Sequence, residues 1–185
     1  VPSLERFWDT SASTARVSGW IAHRLRLSCA VRASDCYTFA LFRDCGIPIL
    51  LIPFPEYLSV LQRANLEETL TFTEIEDQSL SINHARVGGE LAENWLLPVD
   101  VCLAIRRHHD PSALDASDQL AVPASSRQLI AIAQLAEFLI QEQSGQNVTR
   151  EWAKLGRSCM EILDITAEQV SELLDEYRIE LSGLI

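Results

Sequence analysis

Apolar residues recur at spacings of three and four along most of the chain, and no stretch alternates convincingly at period two. That pattern predicts an all-α fold. From Leu4 to Leu27, Phe7, Trp8, Ala15, Val17, Ile21, Ala22 and Leu25 fall at helical spacings, with Gly19 the only weak point. A second helix is predicted from Asp35 to Asp44, closed by Gly46 and Pro48, and Pro55 can open a third through Leu61. Thr73-x-x-Glu76 has capping-box form ahead of a short helix. The stretch from His84 to Trp95 is another, and Pro98 begins the next, which carries His108 and His109 near its end. Between Asp110 and Pro123 the period fades into a loop, the kind of long connection that tends to be functional or mobile. Ser125-x-x-Gln128 then caps a helix through Glu142, ended by Ser144-Gly-Gln-Asn147. A short turn from Trp152 to Leu155 and a last helix from Thr166-x-x-Gln169 to Glu180 complete the chain.

Composition narrows the function classes. At 185 residues, 48% hydrophobic and 22% charged, the chain suits one ordinary domain with room for a small C-terminal subdomain, and a folded rather than a disordered chain is expected. A net charge of −11 opposes nonspecific binding to nucleic acid or to anionic membranes, both themselves polyanions. The longest apolar run, Ile47 to Phe54, contains Pro48 and Pro53 and is far shorter than the roughly 20 residues a spanning helix needs. The five cysteines are odd in number and form no C-x-x-C, so neither a disulfide framework nor a zinc knuckle is indicated, and a cytoplasmic location is expected. The start has no signal-peptide pattern and no Met, so the chain reads as an excised piece of a longer protein. Arg16, His23, Arg24, Arg26 and Arg32 read as a solvated helix face, and Trp8, Trp95 and Trp152 as core anchors. There is no P-loop and no dinucleotide fingerprint.

The chemistry-bearing residues come in an ordered series: Phe7-Trp8-Asp-Thr-Ser11, Phe39-Ala-Leu-Phe-Arg-Asp-Cys-Gly46, His84-Ala-Arg-Val-Gly88, Trp95-Leu-Leu-Pro98, Ile105-Arg-Arg-His-His109 and Leu135-Ala-Glu137. Taken in that order, the series resembles the HDOD domain, a catalytically altered relative of the HD and HD-GYP phosphohydrolases. The resemblance implies an HD-like helical array over residues 1–145, without the helices the family carries ahead of its Trp motif, and a C-terminal helical extension over 146–185 packed on it. In the HD enzymes a first His, a His-Asp pair and a final Asp hold a divalent metal (Fe, Mn, Zn or Mg), and further histidines build a second site in the HD-GYP branch. Thr10, Arg43 and Glu137 stand where the first His, the His of the pair and the last Asp are expected, and only Asp44 is retained. Thr is a poor ligand, Arg cannot ligate because its guanidinium stays protonated, and Glu137 could still bind.

Arg43 goes further than a deletion. Its guanidinium can satisfy Asp44 and Glu137 with bidentate hydrogen bonds and stand in for the metal charge; the alternative is that it faces solvent. His84, His108 and His109 match the additional HD-GYP positions. Either His84 and one of the His108–His109 pair are buried histidines bonded to backbone or to Asp44, or the three are part of a residual metal site with Asp44 and Glu137. Adjacent histidines on a helix point about 100° apart, so His108 and His109 are not expected to share one ion easily. The resemblance therefore implies a noncatalytic signal-transduction or regulatory module of a bacterial protein, needing no cofactor and acting through a protein partner, a ligand or other signalling domains of a parent chain. A metal-dependent phosphohydrolase acting on a nucleotide or cyclic dinucleotide is the alternative. An uncovered apolar face left by the absent helices predicts a homodimer.

Overall fold

The computed structural model describes residues 4–25, 31–146 and 148–182. In chain order the helices are α1 (Leu4–Arg24), α2 (Ala33–Phe42), α3 (Gly46–Leu50), α4 (Tyr57–Leu66), α5 (Phe72–Leu80), α6 (His84–Asn94), α7 (Val99–Arg107), α8 (Pro111–Leu114), α9 (Ala124–Ser144), α10 (Glu151–Leu163) and α11 (Ala167–Ser182). The fold is all-α, with no strand among the described residues. None of these helices is long and apolar enough to cross a membrane.

The centre is α9. Its middle, from Leu129 to Ala136, is buried without interruption, so this helix is apolar on every side and must be wrapped by others. Helices α1, α2 and α7 pack on one side of it, and α10 and α11 fold back onto it from the C-terminal end. A second, smaller core gathers Leu50, Tyr57, Val60, Ala64, Phe72 and Ile75 from α3, α4 and α5. The histidine residues described below lie along the seam between the two.

Several boundaries differ from the sequence expectation for identifiable reasons. Gly46 and Pro48 do not close α2; a turn at 43–45 does, and both residues sit inside the new helix α3. Pro is tolerated there because first-turn amides have no intrahelical partner. Gly46 is required by proximity instead: a Cβ at this position would lie 2.1 Å from the His84 carbonyl oxygen. The start of α3 and the start of α6 therefore touch through backbone, which brings Asp44 to His84.

The capping box of α5 is Thr71 with Glu74, two residues earlier than expected. Glu74 N donates to Thr71 Oγ1 at 3.2 Å, and Thr71 N donates to Glu74 Oε2 at 2.7 Å. Glu76 is thereby released from any capping role. At α9 the N-cap is Pro123 rather than Ser125, while Thr166 and Gln169 exchange the expected pair of bonds at the start of α11. The turn expected at Trp152 is the first part of the full helix α10, and the loop from Asp110 contains α8. Trp8 and Trp95 are 41% and 48% exposed and do not anchor the core; Trp152 does, stacked on Phe138 at 4.6 Å. Arg16, His23, Arg24 and Arg32 are exposed as a solvated face, and Arg26 lies outside the described residues.

Candidate functional site

Arg43 closes α2 and Asp44 follows it in the tight turn into α3. Facing them, Glu137 projects from the long helix α9. Arg43 is 7% exposed, so it does not face solvent. Its Nε donates to Asp44 Oδ2 at 3.1 Å and its terminal nitrogen to Glu137 Oε2 at 2.7 Å. The guanidinium thus bridges both carboxylates, as expected, but with one hydrogen bond to each and not with bidentate pairs. Glu137 Oε1 accepts from Gln141 at 3.1 Å, so each oxygen of this carboxylate has a partner outside the histidine group. Burial alone would work against Arg43's charge, but Glu137 and Asp44 outweigh it and keep the guanidinium more firmly protonated than usual.

The other oxygen of Asp44 faces a different group. Its Oδ1 lies 3.5 Å from His84 Nε2 and 3.3 Å from His108 Nε2, and the two imidazole nitrogens are 3.4 Å apart. His109 completes a set of four donors, all within 4.8 Å of one another. All three imidazoles are buried. His108 and His109 do converge at the C-terminal end of α7, against the expectation, with ring centroids 4.1 Å apart. Thr10, by contrast, is exposed on α1 and does not line the cavity.

Each imidazole is oriented through its Nδ1. His84 Nδ1 donates to Glu76 at 2.8 Å, and Glu76 also accepts from the Tyr57 hydroxyl. The Nδ1 of His108 donates to the Ile105 carbonyl at 2.7 Å, while that of His109 meets Glu151 Oε2 at 2.5 Å. Lys154 binds the second Glu151 oxygen at 3.2 Å. Glu76, Glu151 and Tyr57 are site residues that the motif series did not include. Glu76 was masked by the wrong capping register, although Phe72, Ile75 and Glu76 share one inward helical stripe.

The electrostatics follow from this wiring. Burial resists ionisation of Asp44, but Arg43 and the neighbouring histidines hold its carboxyl well below the ordinary range. His84, buried between Glu76 and Asp44, is nevertheless raised to about 9 by those two carboxylates. Burial and the proximity of His109 push His108 down to about 3. Against its own burial, Glu151 is lowered to about 2 by His109 and Lys154. A neutral His108 that donates from Nδ1 presents a lone pair at Nε2, which faces the Asp44 oxygen. Two acceptors at that separation need a shared proton or a cation between them.

The donor set suits a divalent ion. Metal–nitrogen and metal–oxygen bonds of about 2.0–2.1 Å in a tetrahedral site place neighbouring donors about 3.3–3.4 Å apart. The triangle of Asp44 Oδ1, His84 Nε2 and His108 Nε2 has edges of 3.3, 3.4 and 3.5 Å. An ion there would be held by Asp44, His84, His108 and His109; Glu137, whose two oxygens take Arg43 and Gln141, is not among the converging donors. Beside the cluster is a cavity of about 140 Å³ lined by Arg43, Asp44, Asn65, His109, Thr149 and Glu151 among others.

The HDOD domain family model matches residues 1–111. An uncharacterized protein of Treponema pallidum (strain Nichols) is 26% identical over 137 residues, which cover 74% of this chain but only 24% of the relative. The chain therefore spans about a quarter of the length of that curated relative. Among solved structures, a protein described as a signal transduction protein from Marinobacter aquaeolei VT8 superposes with a TM-score of 0.68 at 23% identity, over 92% of this chain and 35% of that one. A protein described as a phosphohydrolase from Shewanella amazonensis SB2B gives 0.60 at 15%, over 92% and 58%. An HDOD domain protein with unknown function from Geobacter sulfurreducens gives 0.54 at 23%, over 90% and 61%. At these identities the likeness is one of helical fold.

Proposed function

The chain belongs to the HDOD family, and from that premise we propose that it is a noncatalytic signal-transduction module acting through a protein partner or through other signalling domains of a parent chain, in a bacterial cytoplasm. The observation that carries this reading is the position of Arg43 between Asp44 and Glu137. A hydrolytic centre of the HD kind needs a Lewis acid at that position to polarise the phosphoester and generate hydroxide at neutral pH. A guanidinium supplies the charge but cannot lower the pKa of a bound water by coordination, because it has no vacant orbital to accept a lone pair of the water. The cavity also favours the reading. Pockets that take organic ligands run to about 300–1,000 Å³, and this one is about 140 Å³, with room for small ions or waters rather than a nucleotide.

A second reading, a metal-dependent phosphodiesterase acting on a nucleotide or cyclic dinucleotide, draws on the near-tetrahedral triangle of donors. When bound, the ion would supply Lewis acidity; the chain's own contribution would be the orientation of three imidazoles by Glu76, the Ile105 carbonyl and Glu151. One screen separates the readings: purified protein with added Mn²⁺ against nucleotides and cyclic dinucleotides. No turnover above a metal-only blank is expected. Turnover that disappears in Asp44→Ala would overturn the noncatalytic reading.

A further inference from the structure

We infer that Glu151 is a positioning residue that aims His109 at a single divalent ion and so links occupancy of the histidine cluster to the docking of α10. This rests on the ion-holding capacity of the cluster, not on catalysis. Of the three groups that fix the imidazoles, Glu76 and the Ile105 carbonyl lie within the stretch matched by the family, residues 1–111. Glu151 lies outside it, as the first residue of α10. One of the four ion donors is therefore oriented by a helix that the family match does not include.

The connection is tight on both sides of Glu151. One oxygen takes the His109 Nδ1 at 2.5 Å; the other takes Lys154, which also donates to the Leu70 carbonyl at 2.9 Å. His109 itself stacks on Phe72, ring centroids 4.8 Å apart at 14°. The first turn of α10 is thus tied to the imidazole, to the segment leading into α5, and to the cavity wall at Thr149. Behind it, Trp152 lies over Gly156 and stacks on Phe138 of α9, so α10 cannot shift at Glu151 without disturbing its packing.

An ion on the far nitrogen of His109 draws electron density from the ring and strengthens its Nδ1–H bond to Glu151. Because coupling between two equilibria is reciprocal, a helix held more firmly by the loaded imidazole must also make the ion bind more tightly. The ion then acts as a clasp between the family core and α10.

The experiment pairs calorimetric titration of the full chain with Zn²⁺ and amide hydrogen exchange of residues 151–163, with and without Zn²⁺. Wild type is expected to bind one ion and to gain protection through α10. Glu151→Gln should bind one ion with a Kd raised about 10–100-fold and without the gain in α10, while Glu161→Gln, farther along the same helix, should match wild type. Unchanged affinity and protection in Glu151→Gln would overturn the coupling and leave the ion site standing. Absence of Zn²⁺ binding to wild type would overturn both. Should Glu151→Gln fold poorly, wild-type exchange decides alone: no ion-dependent protection in α10 overturns the proposal.

Discussion

Arg43 and Glu137 are 94 positions apart in the sequence and meet at 2.7 Å, the Arg closing α2 and the Glu projecting from α9. The same guanidinium holds Asp44 at 3.1 Å. Two acidic groups that would otherwise repel each other in a poorly solvated cleft are joined through one cation. Asp44 is consequently divided: Oδ2 belongs to Arg43, and Oδ1 faces the histidines.

Removing that cation should cost more than removing a surface charge. Arg43→Met removes the cation shared by two largely buried carboxylates, and the expected loss is about 3 kcal/mol, read as a fall in the urea midpoint at unchanged m-value. Arg43→Lys keeps the charge but cannot span both carboxylates, so a smaller loss of about 1–2 kcal/mol is expected. Equal losses in the two variants would show that the fork, and not charge alone, explains the bridge's stability, and no loss in Arg43→Lys would show the reverse.

Stability of the metal-free protein should peak near neutrality. His84 has its pKa raised to about 9 in the folded state against about 6.5 unfolded, so its contribution is full below 6.5 and is lost as pH rises toward 9. His108 runs the other way: lowered to about 3, it contributes above 6.5 and loses that contribution as pH falls. The depressed carboxylates Asp44, Glu76 and Glu151 steepen the acid limb below the ordinary carboxylate range. Urea midpoints from pH 4 to 9.5 in the presence of EDTA should trace a maximum at about 6–7. A flat alkaline limb would mean that His84 is not held between Glu76 and Asp44.

Gly46→Ala should be among the most damaging single-methyl additions in the chain. The new Cβ would meet the His84 carbonyl oxygen at 2.1 Å and the Gly88 amide nitrogen at 2.9 Å, both backbone atoms that cannot rotate aside. Loss of several kcal/mol or failure to fold is expected, whereas Gly145→Asn, at a positive-φ helix end with open space around it, should cost little.

Tyr57→Phe deletes the hydroxyl that donates to buried Glu76. The carboxylate keeps His84 Nδ1 and the His84 amide as donors. An expected loss of about 1–2 kcal/mol should leave the fold unchanged by circular dichroism, and imidazole NMR should report an altered His84 environment.

The sequence made part of this site readable. Asp44, His84, His108 and His109 sit in motifs whose order survives substitution, and the all-α pattern follows from periodicity that packing then enforces. What escaped reading was whatever depended on where helices stop. Thr71-x-x-Glu74 and Thr73-x-x-Glu76 are both capping boxes on paper, and only burial of Phe72 and Ile75 selects the first and turns Glu76 inward. His108 and His109 converge at the C-terminal end of α7, where their rings lie 4.1 Å apart, and spacing along a regular helix gave no sign of it. Glu151 lay just ahead of Trp152 to Leu155, a stretch read as a short turn, yet Leu155, Cys159 and Leu163 recur every four residues on the buried face of α10. Trp95 matched a family motif and was assigned to the core, but the motif specifies a turn, and the ring lies edge-on against Phe42 at the surface.

A guanidinium cannot be chelated, exchanged or depleted by starvation, because it is covalently part of the chain. The face of Asp44 that rests on Arg43 therefore has the same charge whatever the metal supply of the cell. The face turned to the histidines can answer to that supply. Asp44 is the boundary between a fixed cation and an optional one, and its fixed side keeps the fold intact while the other is free to vary.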